Sequence, residues 1–181
     1  MTAPARSATL PLVLVRREGP DDVAAVRAVV GAAFPTPGGA AEPVEVGLLE
    51  ALRADPGWLR RFSLVACVAD ELVGHVVATR GDVDGHPALG LGPIAVRPDR
   101  QARGVGTALL HAVLGAAEAR DEVLVALLGE PAFYGRFGFR PSTEHGVAPP
   151  DPSWGGYFQV RALTPGTPRG TFRYAAPFAA L

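Results

Sequence analysis

Apolar residues along this chain come in short continuous runs separated by stretches in which they recur every three or four positions, and that alternation predicts the elements. Leu12 to Arg16 reads as a first strand. Pro20-Asp21-Asp22 then opens a helix with acids at its N-terminus, where the peptide dipoles favour negative charge, and Val23, Val26, Val30 and Ala33 supply its buried stripe. Pro35 to Gly39 breaks it. A second helix runs from about Pro43 to Ala54, with Val44, Leu48, Ala51 and Leu52 on one face and Asp55-Pro56-Gly57 as its stop. Two apolar runs, Phe62 to Ala69 and Leu72 to Arg80, flank Asp70-Glu71 and read as a hairpin. Asp82 to Gly85 is a second turn, which returns the chain into the run Leu91 to Val96 and makes an antiparallel meander.

That run stops at Pro98, which cannot donate a ladder hydrogen bond. Polar and small residues follow, and from Gly104 the spacing is helical again, with Val105, Ala108, Leu109, Ala112, Val113 and Ala116 on one face. Glu122 to Leu128 is a compact apolar strand, so strand, helix and strand here predict a parallel pair joined by a right-handed crossover. Glu130 to Phe137 is a short helix closed by Gly138, and strands around Tyr157 to Leu163 and Thr171 to Tyr174 form a final hairpin that completes a mixed sheet.

Composition narrows the class. At 181 residues, 48% hydrophobic and 19% charged, the chain suits one globular domain, 12–181, behind a tail, 1–11, that is expected to be disordered. Seventeen basic and eighteen acidic residues leave a net charge of -1, which points to neither nucleic acid nor a membrane surface as partner. Every one of the basic residues is arginine. The run Leu10 to Val15 contains Pro11 and is too short for a signal sequence or a membrane span, so secretion and anchoring are not expected. The single cysteine, Cys67, lies in an apolar run and reads as a core residue, with a reducing cytoplasm as the natural compartment. Four scattered histidines and one cysteine lack ligand spacing, so no metal site is expected.

The candidate chemistry begins where the central helix begins. Gly104 and Gly106 are costly at that place unless the backbone must approach something closely. The first amides of a helix have no internal partners and carry partial positive charge, which suits a pyrophosphate; Arg100 and Arg103 flank the loop and can add charge-assisted contacts. An ordinary turn into a core helix is the alternative. A Walker loop needs a Lys-Ser/Thr pair after its glycines, and a dinucleotide fingerprint needs a third glycine and a later acid; neither is present. The segment Gln101-Ala102-Arg103-Gly104-Val105-Gly106 instead resembles Gln/Arg-x-x-Gly-x-Gly/Ala, the acetyl-CoA loop of the GNAT superfamily of N-acetyltransferases. The run Pro131 to Phe139 resembles the Tyr-x-x-x-Gly-Phe signature that follows the fifth strand in the same family, and the element order matches along the whole chain after the tail.

The resemblance implies a GNAT fold: an α/β (α+β) domain with a mixed, mostly antiparallel twisted sheet of about seven strands flanked by helices, splayed between strands four and five. It implies acetyl-CoA as donor, held by the strand backbone at Ile94, Ala95 and Val96 and by the loop residues Arg100, Gln101, Ala102, Arg103, Gly104, Val105, Gly106 and Thr107. Gly90, Gly92 and Pro93 suit the broken ladder of that picture, though a bulge serving only sheet twist would use the same residues. Tyr134 is the proton donor that the resemblance places near the thioester sulfur, against the alternative that Phe133, Tyr134 and Phe137 are merely an aromatic cluster. Many members carry a glutamate on strand four, and Gly90-Leu91-Gly92 supplies none, so Glu45, His75, Glu130 and His145 stand as candidate bases, with water as another route for the proton. The acceptor, a primary amine of a small molecule or peptide acetylated by direct transfer in a ternary complex, would meet the first two helices and the late loops, around Phe34 to Pro43 and His145 to Tyr157 with Trp154. A homodimer is left open. The rival is a GNAT fold that binds acyl-CoA as a sensor or scaffold without turnover.

Overall fold

The computed structural model describes residues 12–36, 38 and 41–180. The predicted tail, 1–11, lies outside the described residues. Nine strands are present: β1 (Val13–Arg17), β2 (Ser63–Val68), β3 (Glu71–Val83), β4 (His86–Val96), β5 (Leu124–Leu128), β6 (Arg140–Pro141), β7 (Val147–Ala148), β8 (Phe158–Ala162) and β9 (Gly170–Arg173). Four helices accompany them: α1 (Val23–Ala33), α2 (Val44–Ala54), α3 (Val105–Glu118) and the short α4 (Pro131–Tyr134). The strand order is β1-β2-β3-β4-β5-β8-β6, antiparallel except for β4 against β5, and β9 pairs with β3 and β7. This is the GNAT arrangement expected from the sequence, with the two-residue strands β6 and β7 added.

Strands β2 and β3 read as unbroken apolar runs because both faces of the sheet are covered. On β2, Leu64, Ala66 and Val68 face α3, while Val65 and Cys67 face α1 and α2. Two-residue turns join the meander. Ala69 and Asp70 both take positive φ, 49° and 65°, as do Asp84 and Gly85, 46° and 86°; such turns match the right-handed twist of paired strands.

The helices are where predicted, but their buried stripes are rotated. In α1 the buried residues are Val26, Val29 and Val30, and Val23 is exposed, because Pro20–Asp22 form a separate tight turn and α1 starts only after it. In α2 they are Val46, Leu48, Leu49 and Leu52, with Val44 60% exposed at the helix start. In α3 they are Val105, Leu109, Leu110, Val113, Leu114 and Ala117. Ala112 and Ala116, placed on the core face by spacing, pack at its margin. Leucine releases more apolar area from water than alanine, so the leucines set the helix rotation.

The predicted terminal hairpin does not form. β8 pairs with β5 and β6, whereas β9 crosses the sheet to pair with β3 at Asp82 and Val83. The reason is an overhang. β2 reaches only as far as Val77 on β3, and the remainder of that thirteen-residue strand has an open edge that β9 occupies. Phe172 of β9 is fully buried there over Gly81, where an added Cβ would lie 2.9 Å from the Phe172 ring.

One buried polar cluster sits between β1, α2, β2 and β3. Glu18 is bonded to Ser63 and Arg53 and lies 3.2 Å from His75 Nε2, and Ser63 Oγ lies 3.0 Å from the same nitrogen. Burial acts against the Glu18 carboxylate, yet hydrogen bonds from His75, Ser63 and Arg53 outweigh it and hold its pKa down at about 2. Burial pushes His75 below its ordinary value, with Glu18 working in the opposite direction. His75, a candidate base in the sequence, is a core residue with no exposure.

Candidate functional site

The centre of the sheet is where the site opens. β4 and β5 pair only at Leu89 with Val125 and Gly90 with Ala126, and past those positions the ladder ends. On its other side β4 carries a bulge: Val76 pairs with Ile94 and Ala78 with Leu91, so three steps of β4 oppose two of β3. The extra residue falls at Gly92-Pro93 and re-aims the strand. Two cavities flank this divergence, and Ile94 lines both.

The first, about 420 Å³, lies at the start of α3 and is lined by Ile94, Val96, Gln101, Ala102, Gly104, Gly106, Thr107, Phe133 and Arg136. Its loop is shaped by two left-handed residues, Ala102 at φ 57° and Gly104 at φ 86°. Gln101 Nε2 donates to Val96 O at 3.0 Å and ties the loop back to the end of β4. Gly104 is the residue before the helix, so no side chain caps α3, and its first intrahelical bond is Ala108 N to Gly104 O. The amides of Val105, Gly106 and Thr107 therefore have no acceptor within the helix and point toward the cavity end. A Cβ on Gly104 would meet nothing within 4 Å, and one on Gly106 would lie 3.7 Å from Val96 Cγ2 and 3.8 Å from Phe133 Cζ. Gly104 faces open space, and Gly106 stands at ordinary contact distance from the cavity wall. That is the shape an anion needs at a helix N-terminus.

Of the eleven strand and loop residues predicted to hold the donor, seven line this cavity and four do not. Ala95 is buried on the opposite face of β4, in the cluster under α1 and α2. The Val105 side chain is in the core beneath α3. Arg100 lies 3.5 Å from Glu71 and 3.4 Å from Asp99, and Arg103 is exposed. A different arginine faces the cavity. Arg136 stacks over Phe133, 4.8 Å from the ring centroid, and its Nε donates to Phe133 O at 3.2 Å. Its position three residues after Phe133 puts both on one side of the turn, a spacing that could have revealed it.

The second cavity, about 470 Å³, lies on the other side of Ile94. Its walls come from α1's end (Phe34), α2 (Glu45, Leu48), β4 (Leu91, Gly92, Pro93), β5 (Leu128), the segment after it (Tyr134) and the late chain (Trp154, Tyr174, Phe178). Tyr134 sits between Phe133 and Phe139, with ring centroids at 4.9 and 5.9 Å, and rests directly on Gly129, where any Cβ would collide with the ring. Burial alone pushes the Tyr134 hydroxyl up to about 12, so it keeps its proton at neutral pH. Tyr174 packs as closely on Gly90, and burial first, with Tyr134 second, raises its hydroxyl too. The glycine at position 90 thus makes room for an aromatic wall.

The other candidate bases are elsewhere. Glu130 accepts from Ala132 N at 3.3 Å and caps α4. His145 ends a tight turn and lines neither cavity. Glu45 alone of the four faces a cavity. Sequence reasoning placed Tyr174 at the end of a predicted strand and gave Phe178 no element, and assigned neither to a site.

Comparisons with known proteins agree with this geometry. The family model for the acetyltransferase (GNAT) domain matches residues 60–141, from the start of β2 through α4 to β6. Escherichia coli YhbS, an uncharacterized N-acetyltransferase, is 28% identical over 153 residues, which is 83% of this chain and 87% of YhbS. The structure of YhbS in complex with CoA superposes with a TM-score of 0.83 at 27% identity, covering 99% of this chain and 96% of that one. A GNAT family acetyltransferase from Brucella melitensis in complex with acetyl-CoA is 31% identical with a TM-score of 0.75, covering 92% of this chain and 98% of its own.

Proposed function

Because the chain belongs to the GNAT superfamily of N-acetyltransferases, we propose that it moves an acetyl group from acetyl-CoA to a primary amine in a ternary complex. The observation that carries the reading is the pair of cavities meeting at Ile94, one ending in the uncapped N-terminus of α3 and the other holding a protonated tyrosine. The open space over Gly104 and Gly106, the free amides and Arg136 fit the pyrophosphate of acetyl-CoA, and Ile94 and Val96 fit an arm running along the unpaired edge of β4. Acetyl-CoA supplies an activated acyl carbon and a thiol leaving group.

The residues of the chain do the rest. The α3 N-terminus and Arg136 orient the donor, and positioning of two reactants can provide much of the acceleration. The apolar walls of the second cavity hold the acceptor. The acceptor nitrogen, an ammonium in water, gives one proton to water to become the nucleophile and a second as the amide forms; Tyr134 Oη gives a proton to the departing sulfur and regains one from water, so one proton is released overall. β4 has no carboxylate, which is the one feature in favour of a binding module without turnover. A CoA-release assay with an amine panel separates the two: release that depends on added amine supports the enzyme. Acetyl-CoA binding without release under any amine supports the module. Saturating acetyl-CoA should also raise the unfolding temperature, by about 2.7 kcal/mol of added stability at 100 times its dissociation constant. An equal rise with NAD or ATP would remove the donor assignment.

A further inference from the structure

The walls of the acceptor cavity have an uneven chemistry. Five aromatic side chains, Phe34, Tyr134, Trp154, Tyr174 and Phe178, line it together with aliphatic residues, and Glu45 is the one charged side chain among the lining residues. Three of the rings form a contiguous stretch of wall, with Tyr174 and Phe178 ring centroids 4.6 Å apart and Trp154 6.3 Å from Tyr174. Glu45 differs from its neighbours. Glu42 and Glu50 are both engaged by Arg27, whereas Glu45, half-buried in the first turn of α2, has no ion-pair or hydrogen-bond partner among the described residues.

We infer that this cavity selects a small monocationic amine bearing an aromatic or bulky alkyl group, such as an arylalkylamine, with its amino group held by Glu45, first as the ammonium and then, once a proton has passed to water, as the amine that attacks. This rests on the acetyltransferase reading. A cation desolvated in this cavity needs an opposite charge, and Glu45 with the surrounding ring faces can supply it. The apolar remainder of the ligand would bury against the aromatic wall, the dominant favourable contribution in such sites. Other amines fit less well. A free amino acid would bring a carboxylate to a cavity whose walls, among the described residues, have no arginine or histidine and one glutamate. A diamine or aminoglycoside would leave a second ammonium against apolar wall. A peptide would desolvate backbone amides with few polar groups to receive them. The volume of about 470 Å³ is within the usual range for a small-molecule site.

The test uses the full chain, acetyl-CoA and four acceptors: 2-phenylethylamine, putrescine, phenylalanine and a lysine-containing peptide. The chain has no lysine, so side-chain self-acetylation adds no background. Phenylethylamine should give the largest kcat/KM. Glu45→Gln should raise its KM roughly 10- to 100-fold, the loss expected for one charge-assisted hydrogen bond, with KM for acetyl-CoA unchanged. Glu45→Asp should restore part of it. Calorimetry with 2-phenylethanol, the neutral analogue, provides the control: its affinity should be the same in wild type and Glu45→Gln. An equal loss for amine and alcohol, or preference for putrescine, phenylalanine or the peptide, overturns the inference. Failure of the enzyme reading looks different: no amine is turned over, yet phenylethylamine still binds and loses affinity in Glu45→Gln.

Discussion

The two cavities on either side of Ile94 are built by different means. The donor side is made chiefly of backbone: two left-handed residues, an uncapped helix start and glycines whose absent side chains leave the space. The acceptor side is made of side chains brought from both helices of the first third, the middle of the sheet and the last quarter of the chain. A backbone site is local and keeps its shape while the loop residues hold their dihedrals. A side-chain site depends on every distant element arriving in register. On the proposed reading, the first would hold the phosphate group of the donor and the second the acceptor, so the acceptor side is the one free to differ between substrates.

The sharpest way to break this contrast is at Tyr134, which lines the second cavity and packs against Phe133 of the first. Tyr134→Phe keeps the ring on Gly129 and between its aromatic neighbours and removes only the hydroxyl. If that hydroxyl is the proton donor, the chemical step should slow by about 10² to 10⁴, measured in single-turnover experiments so that product release does not hide it. The acetyl-CoA thermal shift should stay at the wild-type value. Unchanged single-turnover rates would leave Tyr134 as a wall residue.

The next largest effect is expected on the donor side alone. Gly106→Val has room to fold, since its Cβ would be at ordinary contact distance, but the branched side chain occupies the cavity. Donor affinity should fall roughly 10- to 100-fold with little change in unfolding temperature. Gly104→Val should lose both, because position 104 sits at φ 86° and a branched residue there is strained by about 1–3 kcal/mol. Equal thermal destabilisation by the two variants, with donor affinity intact, would return these glycines to the role of a plain turn.

Gly90→Ala probes the acceptor side. The added methyl collides with the Tyr174 ring, so the fold should lose about 1–3 kcal/mol in denaturant unfolding and KM for the amine should rise. The acetyl-CoA shift should be spared. If Gly90 mattered only for the donor arm, the opposite split would appear.

The smallest effect comes from neither cavity. His75 is held below 6.5 by burial, and Glu18 is held below 4.5 at about 2 by its hydrogen bonds. In both, the unfolded chain binds a proton that the folded chain refuses, so stability rises with pH across these windows and falls on acidification. Unfolding temperature should therefore begin to drop as pH falls below about 6.5, and drop further below 4.5 as pH approaches 2. A flat profile from pH 7 to 5 would contradict the neutral buried histidine.

How far the sequence was readable follows from the same contrast. The meander, the β4-loop-α3 unit and the Tyr134 segment were legible, because strand period, helix period and glycine placement are local properties of contiguous residues. Seven of the eleven donor residues expected from the loop do line the cavity for that reason. Helix rotation was read less well. Spacing alone weighs alanine and leucine equally, while burial does not, and α3 turned toward Leu110 and Leu114 and away from Ala112 and Ala116.

What only the tertiary structure decided lies at long range. β9 left its predicted hairpin because β3 outlasts β2 by several residues, an edge visible only when the sheet is assembled. That one crossing carries Phe172 over Gly81 and Tyr174 onto Gly90, and with them the aromatic wall that Phe178 and Trp154 extend. A separate long-range contact distinguishes the arginines: Arg100, beside the loop in sequence, lies against Glu71 at the start of β3, and Arg136 lines the first cavity instead. The sequence by itself determined the meander, the β4-loop-α3 unit and the glycine-bearing loop, since these arise from residues adjacent in the chain. The acceptor cavity was decided by which distant side chains meet, and no local pattern encodes a meeting between residues 45, 134 and 174.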